Sequence, residues 1–283
     1  MINLLIFSFQ APQIRYTNLN NKKERTIIMI DIHCHLLPGI DDGSENLDIS
    51  LQMARDAVAD GITHALLTPH HMNGHYINHA TDVVDLTNWF QAELDKNHIP
   101  LTVFPSQEVR INGNLLSLID NHDILTTDEQ GQYILIEFPS HDVPAFTKKM
   151  LFNLQERGLT PVIVHPERNT ELMAHPELLY DMVSNGAYSQ ITASSYVGTF
   201  GKAVQKFSED ILDNGLTQII ASDAHHLPDR TYEMSDAFAK LKKEYGPRRS
   251  RAFNDNAKAL INGDPLIRFD ETPIKKKKFF SAY

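Results

Sequence analysis

From Met29 onward, short β-branched and aliphatic runs alternate with longer amphipathic stretches. The runs at 27–33, 62–70, 101–108, 133–138, 160–166, 188–194 and 216–223 have the length and composition of strands. Helices are predicted over 46–60, about 80–97, 144–157, 171–184, 201–214 and 231–245. The first is the clearest: Leu47, Leu51, Ala54 and Val58 follow 4-3-4 spacing, and Gly61 stands at the position of a C-terminal cap. Apolar strands separated by helices imply a parallel sheet covered on both faces. Seven such units predict an α/β fold whose sheet closes, or nearly closes, into a barrel. No linker-like stretch divides the pattern, so residues 29–270 are expected to form one domain.

The ends depart from this pattern. The run "INLLIFSF" at 2–9 is too short to span a membrane, which takes about 20 residues, and no basic residue precedes it as in a signal peptide. Residues 1–28 are therefore expected to lie outside the fold, with Met29 as an alternative start. The basic tail at 271–283 is expected to be a solvated terminus without membrane insertion.

A net charge of −10, from 26 basic and 36 acidic residues, argues against a general nucleic-acid binder. It leaves room for an anionic substrate held through bound cations. Cys34 is the only cysteine, which excludes an intrachain disulfide and fits a reducing, cytoplasmic compartment. It also excludes cysteine-phosphatase chemistry, which needs an arginine after five intervening residues; Ile40 stands there.

The candidate chemistry collects at strand ends, where parallel barrels build active sites. Residues i and i+2 of a strand share a face, so His33 and His35 can grip one ion while Cys34 points away as a packed apolar residue. The other strand ends carry His70, Glu108, Glu137, His165, and Asp223 with His225; Asp42 follows in the first loop. A surface reading exists for the glutamates and a packing reading for the histidines. Glu137 inside "YILIEF" and His165 after "PVIV" are nevertheless in apolar runs where an unpaired polar group is costly. His71, His75, His79, His98, His122, His141 and His175 follow no such pattern and are expected to face solvent. His64 is expected in the core, and His226 at the border of the site.

Five histidines and four carboxylates exceed the needs of one ion, so two or three divalent ions are expected. Imidazole and carboxylate donors without thiolate suit manganese, iron or zinc. Two ions about 3.5–4 Å apart can hold a bridging hydroxide and stabilise an in-line phosphoryl displacement. Arg168 in "HPERN" and Arg230 in "HHLPDR" are placed to receive the phosphoryl oxygens.

The segments "MIDIHCHLLPGIDDG", "LLTPHH", "SQEVRI", "YILIEF", "PVIVHPERN" and "IIASDAHHLPDR" resemble the motifs of the PHP superfamily. More closely, they are similar to the metal-dependent bacterial protein tyrosine phosphatases of the CpsB/YwqE type, over about residues 29–262. The resemblance implies a distorted (β/α)7 TIM-like barrel with a trinuclear site, most simply of manganese. It further implies three ligand sets: His33, His35, Glu108 and Asp223; Glu108, Glu137 and His165; and Asp42, His70 and His225. Arg168 and Arg230 match its phosphate-binding arginines. The implied substrate is a phosphotyrosine-bearing protein, such as the tail of a bacterial tyrosine kinase, in the regulation of capsule or exopolysaccharide synthesis. The leader and "TASSYVG" after the sixth strand depart from the family pattern. Two alternatives remain at this point: a small-molecule phosphomonoesterase such as histidinol phosphatase, and an inactive metal-binding domain. Asp42, where other branches of the superfamily often carry histidine, favours the tyrosine branch. Sequence alone leaves the oligomeric state open.

Overall fold

The computed structural model describes residues 28–226 and 230–275. Residues 1–27 of the expected leader and residues 276–283 of the basic tail lie outside the described residues. No helix among the described residues is long and apolar enough to cross a membrane.

Among the described residues there are nine strands, most of them separated by helices: β1 (Met29–Cys34), β2 (Ile62–Leu67), β3 (His70–His71), β4 (Thr102–Pro105), β5 (Glu108–Arg110), β6 (Tyr133–Glu137), β7 (Thr160–Val164), β8 (Tyr188–Thr192) and β9 (Ile219–Ala221). All pairings are parallel. The strands form a three-stranded sheet, β1-β2-β4, and a six-stranded sheet, β3-β5-β6-β7-β8-β9. The continuous ladder of a closed barrel is thus replaced by two sheets. The division falls at Thr68-Pro69 and after Pro105, where proline has no N–H to give a ladder. Two of the seven expected strands are split there, so Glu108 opens β5 and does not end a strand. Hydrogen bonds from Ser106 N to Leu67 O (2.9 Å) and Glu108 N to Pro69 O (3.1 Å) cross the break. On the other side, Asp223 N donates to His33 O at 2.7 Å and His35 N to Ala224 O at 3.0 Å.

Alternate residues of the strands feed two apolar clusters. Leu135, Val162, Val164, Ile219 and Ala221 pack on one side with Ala257 and Leu260. Ile134, Ile136, Ile163 and Ile220 pack on the other, with the helices. Both faces are therefore buried, which is why the strands read as continuous apolar runs.

The helices are α1 (Leu47–Ala59), α2 (Ala80–Lys96), α3 (Leu115–Asp120), α4 (Thr147–Glu156), α5 (Thr170–Ala174), α6 (Glu177–Ser184), α7 (Ala193–Val197), α8 (Lys202–Asp213) and α9 (Met234–Asn262). Helix α1 begins where the Asn46 side chain accepts from Ile49 N, and it is followed by Gly61 at φ +96°. The helix expected over 171–184 is broken into α5 and α6 before Pro176, because proline excludes helical backbone at the residue ahead of it. The last helix runs past its expected end through a kink at Gly246 (φ 82°, ψ 166°) and Pro247.

Candidate metal centre

The end of β1 delivers His33, on the strand, and His35, just beyond it, both buried, to one point. Their Nε2 atoms are 3.3 Å apart. His33 Nε2 lies 3.4 Å from Glu108 Oε2 and 3.5 Å from Asp223 Oδ1. His35 Nε2 lies 3.4 and 3.3 Å from the same two oxygens. Ligands about 2.0–2.1 Å from a tetrahedral ion stand roughly 3.3–3.4 Å from one another. The five separations, 3.3–3.5 Å, are close to that value, so His33, His35 and Glu108 surround a space sized for a cation, with Asp223 beside the two histidines.

Neighbours fix the rings from behind. His35 Nδ1 is 2.7 Å from Asp41 Oδ2, and His33 Nδ1 is 3.0 Å from Gln190 Oε1 on β8. His225 Nδ1 is 2.9 Å from its neighbour's carbonyl, Asp223 O. If each Nδ1 donates to these acceptors, each Nε2 keeps its lone pair for the space between. Asp31, also buried, accepts from Ser222 N and Ser222 Oγ and so ties β1 to the end of β9. Burial raises its carboxyl to about 6, despite those hydrogen bonds. His165 (φ +36°) and Asp223 (φ +50°) have left-handed backbone, a costly conformation that turns both side chains out of their strand ends.

A second group lies beside the first. Asp42 Oδ1 is 3.3 Å from His70 Nε2 and 3.4 Å from His225 Nε2, and His35 completes a set of four donors within 4.8 Å of one another. His70, Glu108 and Glu137 form a third set. Compared with the sets the resemblance implies, His70 stands where His165 was expected, and His35 joins the second group. The reason is local: His165 Nε2 is directly hydrogen-bonded to Glu108 Oε1 at 2.6 Å. His225 Nε2 is buried without a hydrogen-bond partner, and His70 Nδ1 and Glu108 Oε2, also buried, face each other at 2.8 Å without hydrogen-bond geometry. Orphaned donors and acceptors converging on one space are what cations would satisfy. The donor set therefore fits divalent ions.

The electrostatics fit too. Burial opposes charge on Glu108, but His70, His33 and His165 hold its carboxyl well below the usual range. Burial likewise opposes charge on His70, yet Glu108 and Asp42 raise it to about 10. Burial and nearby positive charge, from Arg168 and His35 respectively, lower His165 to about 3 and His225 to about 4. Burial and the charge of Glu108 raise Glu137.

Arg168 and Arg230 both donate Nη2 to Asp223 Oδ2, Arg230 at 2.8 Å. They line a pocket of about 360 Å³ together with Asp42, His70, Glu137, His165 and Asp223. Phe138, Val164 and Pro166 give it an apolar wall, and Phe200 covers Arg168 at 5.7 Å. All eleven residues singled out from the sequence are thus brought together. Asp41, Gln190 and Arg110, which also touch the cluster, escaped sequence reasoning. Asp41 adjoins Asp42 in "IDDG", and Gln190 lies on the one strand that offered no ligand.

The remaining histidines divide differently. His75, His79, His98, His122, His141 and His175 are exposed, as is His226. His71 was expected in solvent but is buried, because pairing with Val109 turns it into the sheet. His64 is half-buried against Phe104. Cys34 is fully buried and donates to Leu66 O, away from the cluster.

A parallel α/β protein with an imidazole–carboxylate cluster opening into an arginine-lined pocket belongs to the class of metal-dependent hydrolases. Comparison with known proteins sharpens this. The chain belongs to the CpsB/CapC family of capsular polysaccharide synthesis, whose pattern matches residues 29–262. It is 40% identical to the tyrosine-protein phosphatase YwqE of Bacillus subtilis over 255 residues, covering 90% of this chain and 100% of that one. It is 33% identical to the putative tyrosine-protein phosphatase CapC of Staphylococcus aureus, covering 89% and 99%. A crystal structure from work on YwqE and on CpsB of Streptococcus pneumoniae, described as metal-dependent tyrosine phosphatases, superposes with a TM-score of 0.85 at 40% identity. It covers 88% of this chain and 100% of that one.

Proposed function

We propose that this chain is a metal-dependent protein-tyrosine phosphatase acting in the regulation of capsule or exopolysaccharide synthesis. The observation that carries the reading is the pocket in which Arg168 and Arg230 face a cluster of His33, His35, Asp42, His70, Glu108, Glu137, His165, Asp223 and His225. These nine residues hold two to three divalent ions, most simply manganese, with iron or zinc also suited to the donors. When bound, such ions supply Lewis acidity and water activation at neutral pH. The chain's own groups do the rest. Arg168 and Arg230, anchored on Asp223, bind the non-bridging phosphoryl oxygens and orient the ester. Phe138, Val164 and Pro166 receive the aryl ring and exclude water from beside it. Phenolate, with a parent pKa of about 10, leaves more readily than a serine alkoxide, which favours tyrosyl esters.

Residues 29–270 act as one domain, a distorted (β/α)7 barrel. Supporting this closure, β2 with β3 and β4 with β5 continue one another in sequence, and hydrogen bonds link Asp223 and Ala224 to β1. The substrate is a phosphotyrosine-bearing protein, such as the tail of a bacterial tyrosine kinase, met in the cytoplasm.

The test is steady-state kinetics on a phosphotyrosyl peptide, a phosphoseryl peptide and histidinol phosphate. Arg168→Ala or Arg230→Ala should lower kcat/KM on the tyrosyl peptide by about tenfold to a thousandfold, with little change in metal content. Equal turnover of the two peptides, preference for histidinol phosphate, or full activity in both variants would refute the reading.

A further inference from the structure

Arg110, on β5, reaches the same pocket with its side chain 21% exposed, and its Nε donates to Glu137 Oε2 at 2.8 Å. A guanidinium has five N–H donors. Among the described residues no other partner engages Arg110's side chain, so its two terminal amino groups remain available. His70 pairs with Glu108 and His71 with Val109, and β3 ends there. Asn73, two residues beyond β3, lines the same pocket as Arg110. Its Oδ1 accepts from His75 N at 3.0 Å and Tyr76 N at 2.9 Å. That fixes the amide orientation and leaves Nδ2, which has no partner among the described residues, as a donor.

Two sets of free donors, one charged, thus line the pocket from β5 and from the turn after β3. Arg168 follows β7, two strands away in the sheet order. Arg168 and Arg230 are both held by Asp223, whereas Arg110 is held by Glu137. The two arginine places are thus tied to different carboxylates, which leaves Arg110 for a second anionic group on the same peptide.

We propose that Arg110 and Asn73 form a second anion subsite, which takes the carboxylate of an acidic residue flanking the phosphotyrosine. The proposal rests on the phosphatase reading and adds a sequence preference to it. Arginine binds carboxylates through its fork, and the Asn73 amide adds a neutral donor. Because the subsite is partly exposed, its contribution falls as salt rises.

The test compares wild type, Arg110→Gln and Asn73→Asp on p-nitrophenyl phosphate and on two phosphotyrosyl peptides that differ only in aspartate or lysine beside the phosphotyrosine. Wild type should favour the acidic peptide by about tenfold in kcat/KM, chiefly through KM, with the preference shrinking in high salt. Arg110→Gln should reduce the ratio to near one; taking the ratio cancels any effect on the shared hydrolytic step through Glu137. Asn73→Asp keeps the acceptor for His75 N and Tyr76 N and replaces the donor with negative charge, so it should abolish or reverse the preference. Equal use of both peptides by wild type, or a preference that survives both substitutions, overturns the subsite while leaving the phosphatase reading intact. Absence of turnover of p-nitrophenyl phosphate and of both peptides by metal-loaded wild type overturns both.

Discussion

Asp41 offers the sharpest test of how the metal centre is held. Its two oxygens are both committed as acceptors: Oδ1 takes Gly43 N at 3.0 Å, and Oδ2 lies 2.7 Å from His35 Nδ1 and 3.3 Å from His70 N. Asp41→Asn preserves shape but supplies one accepting oxygen and one NH2. Whichever way the amide turns, a donor meets a donor, at Gly43 N or at His35 Nδ1. The second clash can be relieved only by moving the His35 proton to Nε2, the atom that faces Glu108 and Asp223. Loss of such an outer partner typically weakens metal binding about 10- to 100-fold, equivalent to about 1.4–2.7 kcal/mol. Isothermal titration of metal-stripped protein with Mn2+ should show this loss, and a melting experiment on the stripped variant should show an intact fold. An affinity within about twofold of wild type in a folded variant would refute the argument that Asp41 holds His35 in its ligating tautomer.

Glu108 contacts His33, His35, His70 and His165, so Glu108→Gln should lower metal content by more than one equivalent, read by elemental analysis, whereas Asp42→Asn should lose one at most. Cys34→Ala should keep most of its activity and all of its metal dependence, because the buried thiol is pushed well above its usual pKa and points to Leu66 O. Near-total loss of activity in a folded, metal-bound variant would refute this. Asp31 gives a pH signature in metal-free protein. Its pKa rises from 3.8 to about 6 on folding, so the folded state binds the proton more tightly. The associated stability is fully present below pH 3.8 and is lost as pH rises through about 6, in total about 3 kcal/mol. Asp31→Asn should flatten that part of the stability–pH curve, and denaturant melts at pH 4 and pH 7 that differ as in wild type would count against it.

The sequence by itself determined the parallel α/β architecture, because strands buried on both faces must be continuously apolar and their helices must repeat every 3.6 residues. It also marked the eleven polar residues of the cluster and its pocket, since a histidine or carboxylate at the edge of an apolar run stands out against its surroundings. Helix ends at Gly61 and near Asn46 were legible for the same local reason. What lay outside its reach depends on contacts between distant segments. The break of the sheet at Pro69 and Pro105, the burial of His71 by pairing with Val109, and the helix beyond Gly246 are set by partners that local periodicity does not encode. The same holds at the site. Gln190 is an ordinary strand residue until β8 places it 3.0 Å from His33, 157 positions earlier. Asp41 and Arg110 acquire their roles only when folding brings His35 and Glu137 to them. Candidate ligands are chosen by residue type, which sequence records. Their orientation is chosen by hydrogen bonds through space, which only the tertiary structure decides.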